Sequence, residues 1–203
     1  QKKLRGKEIV LIPQSVDYLD PLMRVGKQVR GISGTAEKVK KAFRRYNLGE
    51  DVEKMYPFQL SGGMARRVLI STAVMADSRL IIADEPTPGL DTDMAMETLS
   101  NFRELADKGC GVLLITHDID LAFNVADRIA VFYAGTVVEE CPVEDFKAGK
   151  EALRHPYSKA FIDALPQNDF KPIEGTQPYA GNLPEGCLLL QDVRTEQINV
   201  RRI

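Results

Sequence analysis

Short apolar runs alternate along the chain with segments of helical periodicity. Three runs are continuous enough to predict buried strands, at 8–12, 80–83 and 111–116. Between and after them, apolar residues recur three and four positions apart, the spacing of one helix face. Helices are therefore expected at 37–48, 64–76, 91–109 and 118–126. Strand, helix and strand in this order predict a parallel α/β sheet with helices covering both of its faces.

The helix pattern also predicts which side chains face the core and where one helix begins and ends. Asp91 can cap the start of the third helix and Gly109 can end it. The residues expected to face the core are Val39, Phe43 and Tyr46 in the first helix, Val68, Leu69, Thr72 and Met75 in the second, and Ala95, Leu99, Phe102 and Ala106 in the third.

The last third of the chain changes character. The run "RIAVFY", an Ala-Gly turn and "TVVEE" predict a β-hairpin, and "RHPYSKAFIDALP" predicts another helix. From Pro166 the chain is rich in Pro, Gly and Asn without a clear period, which is typical of an extended or partly disordered tail. We expect four segments: 1–14, a helical part at 15–76, a sheet core at 77–145, and a C-terminal extension at 146–203.

Composition narrows the functional classes. The 203 residues carry a net charge of −2, which does not favour binding to nucleic acid or to an anionic membrane surface. No apolar run approaches the roughly 18 residues of a membrane span, and no secretory signal is expected. Cys110, Cys141 and Cys187 are scattered, which argues against a disulfide framework or zinc site and favours a reducing cytoplasm.

Polar residues follow two of the predicted strands directly. Asp84 and Glu85 end one apolar run, and His117 follows the next one. Open α/β sheets bind ligands at the carboxyl ends of their strands. There an aspartate can hold Mg²⁺, a glutamate can accept a proton from water, and a histidine can contact a phosphate. The alternatives are a strand that simply ends in a polar loop and a structural histidine.

Two further features suit a phosphate ligand. Ser61, Gly62 and Gly63 precede a helix, so exposed backbone N–H groups and the helix dipole would favour an anion. The alternative is a serine N-cap beside loop glycines. Gln14 follows the first strand, where its side chain could reach Mg²⁺ or an attacking water, although alone it indicates little.

In order, Gln14, "LSGGM", "LIIADEPTPGLD" and "LLITHD" resemble the ATP-binding cassette family, the motor subunits of ABC transporters. The resemblance covers about residues 5–165 and implies a P-loop NTPase-like (RecA-like), mostly parallel sheet with an inserted α-helical subdomain.

The same resemblance implies a role for each motif. Gln14 is similar to the Q-loop glutamine, Leu60–Met64 to the signature motif and Leu80–Glu85 to the Walker B strand. Asp84 and Gln14 would bind Mg²⁺, while Glu85 and His117 would be catalytic. Pro88–Asp91 matches the D-loop, and Asp91 counts among the expected nucleotide-binding residues, as do Ser61, Gly62 and Gly63.

Other stretches resemble one branch of that family. Met64 replaces the usual glutamine of the signature, as in importers of oligopeptides, dipeptides and nickel. "YLDPLMRVGKQV", "HPYSKAFIDALP", "EGTQP" and "LPEGC" are also similar to that branch. Many of its members end in a cysteine cluster that resembles an iron–sulfur site. Only Cys187 falls in that region here, so no cluster is expected.

A Walker A loop, G-x-x-x-x-G-K-[ST], is absent from the sequence. Gly-Lys occurs at 6–7, 26–27 and 149–150, and is never followed by Ser or Thr. The resemblance places that loop before residue 1, so we expect a truncated cassette that by itself neither binds ATP tightly nor hydrolyses it.

For the full-length parent the resemblance implies an ATPase on the inner face of the cell membrane. Its partners would be a second cassette, transmembrane permease subunits and, indirectly, an extracytoplasmic substrate-binding protein. In such pairs each ATP lies between the P-loop of one subunit and the signature of the other. A soluble cassette ATPase outside transport and a non-catalytic partner cassette remain open as alternatives.

Overall fold

A computed structural model describes residues 4–31, 34–76, 78–168, 170–173, 176–179, 181 and 189. The chain divides into two compact units, Gln1–Val125 and Ala126–Ile203. The sheet core expected at 77–145 is therefore split between them, and each unit is described by itself.

The first unit contains a three-stranded parallel sheet in the order β1–β2–β3. The parallel arrangement predicted from the strand–helix–strand order is confirmed. The register places Leu11 of β1 beside Ile82 of β2, and Ile82 beside Leu113 of β3. The strands are β1 (Ile9–Ile12), β2 (Leu80–Asp84) and β3 (Gly111–Ile115).

Only one face of this sheet is covered by the described residues, so the expectation of two covered faces is wrong for this part of the chain. Ile81 and Ala83 of β2 are fully buried on the covered face. Alternate residues point the other way, and there Leu11, Leu113 and Ile115 are 47–51% exposed. The apolar runs were continuous because both faces carry apolar side chains, but such a run does not reveal what packs on each.

The helices of the first unit are α1 (Val25–Arg30), α2 (Ala36–Arg45), α3 (Gly62–Met75), α4 (Thr92–Asp107) and α5 (Ile119–Val125). Of these, α3 packs against β1 and α4 against β3, while α1 and α2 pack on α3 and α5 packs on α4. Short 3₁₀ turns lie at Val16–Tyr18, Glu50–Lys54 and Pro57–Gln59. The predicted inner face of Val39, Phe43 and Tyr46 is confirmed, since all three are buried.

The inner face predicted for α3 is only partly right. Val68 and Leu69 are buried as expected, whereas Thr72 and Met75 are half-buried. Ile70 and Ala73 are buried instead, because α1, α2 and β1 all pack around α3. A helix with neighbours on several sides loses the one-faced pattern on which a periodicity argument depends.

The predicted ends of α4 are confirmed. The Asp91 carboxylate accepts a hydrogen bond of 2.9 Å from the Met94 N–H, which satisfies one of the free donors at the helix start. Gly109 has a φ of +92°, the left-handed conformation that ends many helices. Of the predicted stripe, Ala95, Leu99 and Phe102 are buried and Ala106 is half-buried.

The second unit begins with the predicted hairpin. Strands β4 (Arg128–Tyr133) and β5 (Thr136–Pro142) pair antiparallel, and Ala134 and Gly135 at the turn both have positive φ. Such a turn matches the twist of the two strands. Helices α6 (Val143–Lys147) and α7 (Pro156–Asp163) follow, and α7 confirms the helix predicted from "RHPYSKAFIDALP".

Most of the predicted tail lies outside the described residues, including Cys187, on which the expectation of no iron–sulfur cluster depends. Across the part of the chain that is described, no helix is both long enough and apolar enough to cross a membrane.

Candidate functional site

The residues that follow β2 and β3 meet at one edge of the sheet. Asp84 pairs with Ile115 in the parallel register, and the Glu85 N–H extends the ladder with a 2.9 Å hydrogen bond to the Ile115 carbonyl. His117 lies two residues after the end of β3, and its Nδ1 is 2.8 Å from Glu85 Oε1. The spacing along the sequence predicted this meeting because carboxyl ends of neighbouring parallel strands share an edge.

Glu85 adopts an unusual backbone conformation. Its φ is +46°, in the left-handed region that non-glycine residues seldom occupy, at a cost of about 1–3 kcal/mol. Strain of this kind persists where the surrounding structure holds a residue in place, and it is concentrated at functional sites.

The two oxygens of the Glu85 carboxylate have different surroundings. The side chain is 16% exposed, and Oε1 is bonded to His117. Oε2 is buried and has no hydrogen-bond partner among the described residues. A buried carboxylate oxygen without a partner is costly unless a ligand or water satisfies it. Oε2 is therefore suited to accept a hydrogen bond from a water molecule that enters the site.

His117 is the solvent-exposed member of this pair, with 81% of its side chain exposed. The hydrogen bond to Glu85, and secondarily the negative charge of that carboxylate, raise the pKa of His117 above its usual range. With Nδ1–H donating to the carboxylate, Nε2 is left for a second polar group. A phosphate oxygen would suit that position when the ring is protonated.

The turn at 61–63 confirms one of the two interpretations made from its sequence, the serine N-cap. Ser61 Oγ accepts a hydrogen bond of 3.3 Å from the Met64 N–H and so caps α3. Ser61 and Gly62 are nevertheless exposed, and a side chain at Gly62 would meet no atom within 4 Å. A Cβ on Gly63 would lie 3.2 Å from the Gly89 carbonyl oxygen, so the turn sits closely against the loop before α4.

The expected Mg²⁺ ligands are oxygen donors, which is the chemistry that this ion prefers. Asp84 is half-buried at the end of β2, and Gln14 is exposed just after β1. No group of three or more His, Cys, Asp or Glu within the described ranges is placed to hold a metal ion. One carboxylate and one amide oxygen fit Mg²⁺ if nucleotide phosphates and water complete its shell, as is usual for this ion. Asp91 uses one carboxylate oxygen as the cap of α4.

A family model described as "ABC transporter" matches residues 1–88. The oligopeptide transport ATP-binding protein AppD of Bacillus subtilis (strain 168) is 34% identical over 203 residues, covering 91% of this chain and 61% of that protein. The dipeptide transport ATP-binding protein DppD of Haemophilus influenzae is 35% identical, with 93% and 62% covered.

Solved structures agree with these sequence matches. The dimeric ATP-binding cassette MJ0796 in a post-hydrolysis state, bound to ADP and Pi, superposes with a TM-score of 0.63 at 26% identity, covering 70% of this chain and 66% of that chain. This chain carries a domain of the ABC transporter family in residues 1–88. It has the cassette fold, and it spans about 60% of the length of the curated relatives described above.

One buried residue of the cassette site was missed by the sequence argument. Arg66 of α3 is only 6% exposed, and its guanidinium donates to the carbonyls of Pro13 and Gln14. Charged residues are seldom buried, and the inner face predicted for α3 did not include this arginine. Its position close to Ala65 and Val68 on the same helix could have indicated its burial, since both of those residues are buried.

A separate cavity of about 740 Å³ lies in the second unit of the cassette, and sequence reasoning did not predict it. Much of its charge is already paired: Arg128 contacts Glu140 at 2.7 Å, and Glu139 accepts hydrogen bonds from the N–H groups of Arg154 and His155. Burial would raise the pKa of Glu139, but the hydrogen bonds from these two N–H groups contribute to a net lowering of that pKa. Paired groups of this kind stabilise the start of α7 and leave little chemistry for a ligand.

Proposed function

We propose that the protein hydrolyses ATP as the motor subunit of an ABC importer for oligopeptides or dipeptides. The observation that carries this proposal is the Glu85–His117 pair at the carboxyl ends of β2 and β3, with Glu85 Oε2 buried and unpartnered in the described structure. Both relatives described above are named as peptide transport ATP-binding proteins, which supports the choice of cargo.

In this proposal Glu85 is the catalytic base. Oε2 accepts the proton of the attacking water, while the bond from His117 to Oε1 keeps the carboxylate in place. His117 donates from its other ring nitrogen to the terminal phosphate. The strained backbone at Glu85 supports this assignment, because strain of this kind is concentrated at functional sites.

The remaining residues bind the nucleotide. Asp84 and Gln14 would hold Mg²⁺, which neutralises phosphate charge and orients the leaving group when it is bound. Ser61, Gly62 and Gly63 would bind the γ-phosphate held by a second cassette, using the exposed N-terminus of α3. The dimeric state of the solved cassette supports a paired arrangement for this protein as well.

Partners and location follow from the motor role. We propose a second cassette, membrane-spanning permease subunits and an extracytoplasmic binding protein, with the cassette on the inner face of the membrane. The motor role would place the permease contacts in the helical part at 15–76.

The test is Glu85→Gln in the full-length protein. The substitution keeps the size of the side chain and one oxygen, so Mg·ATP binding should persist while turnover falls by about 10²–10⁴-fold, the usual contribution of a general base. Glu97→Gln is the matched control, since Glu97 is exposed on α4 and loses the same charge. Binding is measured by calorimetry and turnover by phosphate release.

The possible outcomes separate the alternatives. Full turnover in the Glu85→Gln protein would remove Glu85 from the base role. Absence of turnover in the unsubstituted full-length protein would instead indicate a non-catalytic partner cassette. Uptake of a labelled dipeptide by cells that depends on Glu85 would support transport over a soluble ATPase.

A further inference from the structure

Arg66 joins three parts of the cassette that are far apart in sequence. It lies on α3, one turn after the Ser61–Gly63 turn. Its Nη1 donates to the Pro13 carbonyl at 2.8 Å, and its Nη2 donates to the Gln14 carbonyl. The two acceptors are consecutive backbone groups at the end of β1, so the planar guanidinium holds this piece of main chain by two hydrogen bonds in a fixed geometry.

The positive charge of Arg66 is balanced by carboxylates at the end of β2. Burial lowers the pKa of the guanidinium, while the negative charges of Asp84 and Glu85 act in the opposite direction. The nearest carboxylates of the candidate site therefore stabilise the buried cation. In return, the cation offsets part of the repulsion between two adjacent carboxylates.

Stability alone does not explain an arginine at this position. Its Nε is buried without a hydrogen-bond partner in the described structure, which costs free energy. An apolar side chain of similar volume would avoid that cost and the desolvation of the charge. The features that an apolar side chain cannot supply are the double hydrogen bond to the chain before Ser15 and the positive charge.

We propose that Arg66 is a positioning residue that fixes Gln14 relative to α3, so that the phosphate-facing turn at 61–63 and the Gln14 side chain move together. A helix of this kind behaves as a rigid element, and the arginine makes the main chain at Gln14 part of that element. The inference rests on the proposed function, because Gln14 matters only if it serves Mg²⁺ or the attacking water.

The first test is a double-mutant cycle in the full-length protein. Arg66→Met removes the hydrogen bonds and charge but keeps much of the apolar stem. If it acts through Gln14, kcat for ATP hydrolysis should fall by about 100-fold, the effect of a small misplacement, with KM little changed. Adding Arg66→Met to Gln14→Ala should then cost no further activity, since the group being positioned is gone.

Arg67 provides a matched control on the same helix. Its guanidinium donates to the carbonyls of Tyr46 and Asn47, each at 3.2 Å, and to the Gly63 carbonyl of its own helix at 3.3 Å. In the described structure it donates to none of the residues before Ser15. The loss of activity from Arg67→Met should therefore be the same with and without Gln14→Ala. Arg66→Lys should recover part of the lost turnover, because lysine keeps the charge and can donate to one carbonyl.

The second test needs no activity. Amide hydrogen exchange is followed without nucleotide in a peptide that spans 13–19. Arg66→Met should speed exchange there about tenfold, as expected for losing hydrogen bonds from a charged donor, while Arg67→Met leaves the peptide unchanged.

Additive losses in the cycle, or unchanged exchange at 13–19, would overturn the proposal. If the Met variant does not fold, the same cycle and exchange measurement with Arg66→Lys decide the question. If the unsubstituted protein shows no turnover, the proposed function fails, and exchange still reports whether Arg66 holds the chain at Gln14.

Discussion

The buried contact between Tyr46 and Asn101 gives a sharp stability prediction. Tyr46 is fully buried at the end of α2, and its hydroxyl oxygen accepts a 3.0 Å hydrogen bond from Asn101 Nδ2 of α4. Tyr46→Phe removes the acceptor and little volume. Asn101 Nδ2 is then a buried donor without its partner, while Asn101 Oδ1 already has none in the described structure.

The loss of stability caused by Tyr46→Phe should decrease as the pH rises. At pH 7 the loss should be about 1–3 kcal/mol of unfolding free energy, the cost of leaving a buried polar group unpaired. Burial raises the pKa of Tyr46 from 10.0 to about 12 in the folded state. Between those values the unfolded chain releases this proton and the folded chain keeps it, so the tyrosine's contribution to stability falls as pH rises. From pH 9 to pH 11 the decrease is about 1.3 kcal/mol.

The assay is urea unfolding of both proteins at pH 7, 9 and 11, with equal m-values as the check that only stability has changed. The gap between the unsubstituted protein and Tyr46→Phe should narrow between pH 9 and pH 11. Tyr18→Phe is the control: Tyr18 is largely exposed, so its effect should stay within about 0.5 kcal/mol at every pH.

Two outcomes would refute the reasoning about this contact. One is a loss below about 0.5 kcal/mol at pH 7, which would mean that water or another group satisfies Asn101. The other is a gap that does not change with pH. A second variant sharpens the test: Tyr46→Phe combined with Asn101→Leu should recover part of the loss, because both polar partners are then gone.

Two further predictions concern α1 and the candidate site. Gly26→Ala should lower the free energy of unfolding in urea by about 1–3 kcal/mol, because a Cβ there would lie 2.1 Å from Glu53 Cγ and 2.8 Å from the Glu53 carbonyl oxygen. Gly49→Ala is the control and should be nearly neutral, since a Cβ at Gly49 meets no atom within 4 Å. Equal effects of the two substitutions would contradict the crowding at Gly26. Glu85→Gln should lower the pKa of His117 towards 6.5 in an NMR titration, because the Glu85 carboxylate is what raises that pKa. The stability that the pair contributes is present below pH 6.5 and is lost as the pH rises through the folded-state pKa of His117. An unchanged titration of His117 would contradict the pairing.

The polar residues that follow the apolar runs were enough to predict that Glu85 and His117 lie at the same edge of the sheet. The strand pattern is sufficient for this prediction, because the carboxyl ends of neighbouring parallel strands lie at one edge of the sheet. The caps of α4 were equally local, since an Asp and a Gly act on their own helix ends. The residues buried around α3 were harder to predict, because Ile70 and Ala73 owe their burial to neighbours on several sides.

The order of the main strands and helices, the ends of α4 and the carboxylates after β2 could all be predicted from the amino-acid sequence. These features depend on neighbours within a few positions. Three other features came to light in the fold: Arg66 is buried against the carbonyls of Pro13 and Gln14, Glu85 takes a left-handed backbone, and one sheet face is open in the described chain. Each of these depends on contacts between residues about 30 to 100 positions apart, and such contacts leave no periodic pattern along the chain.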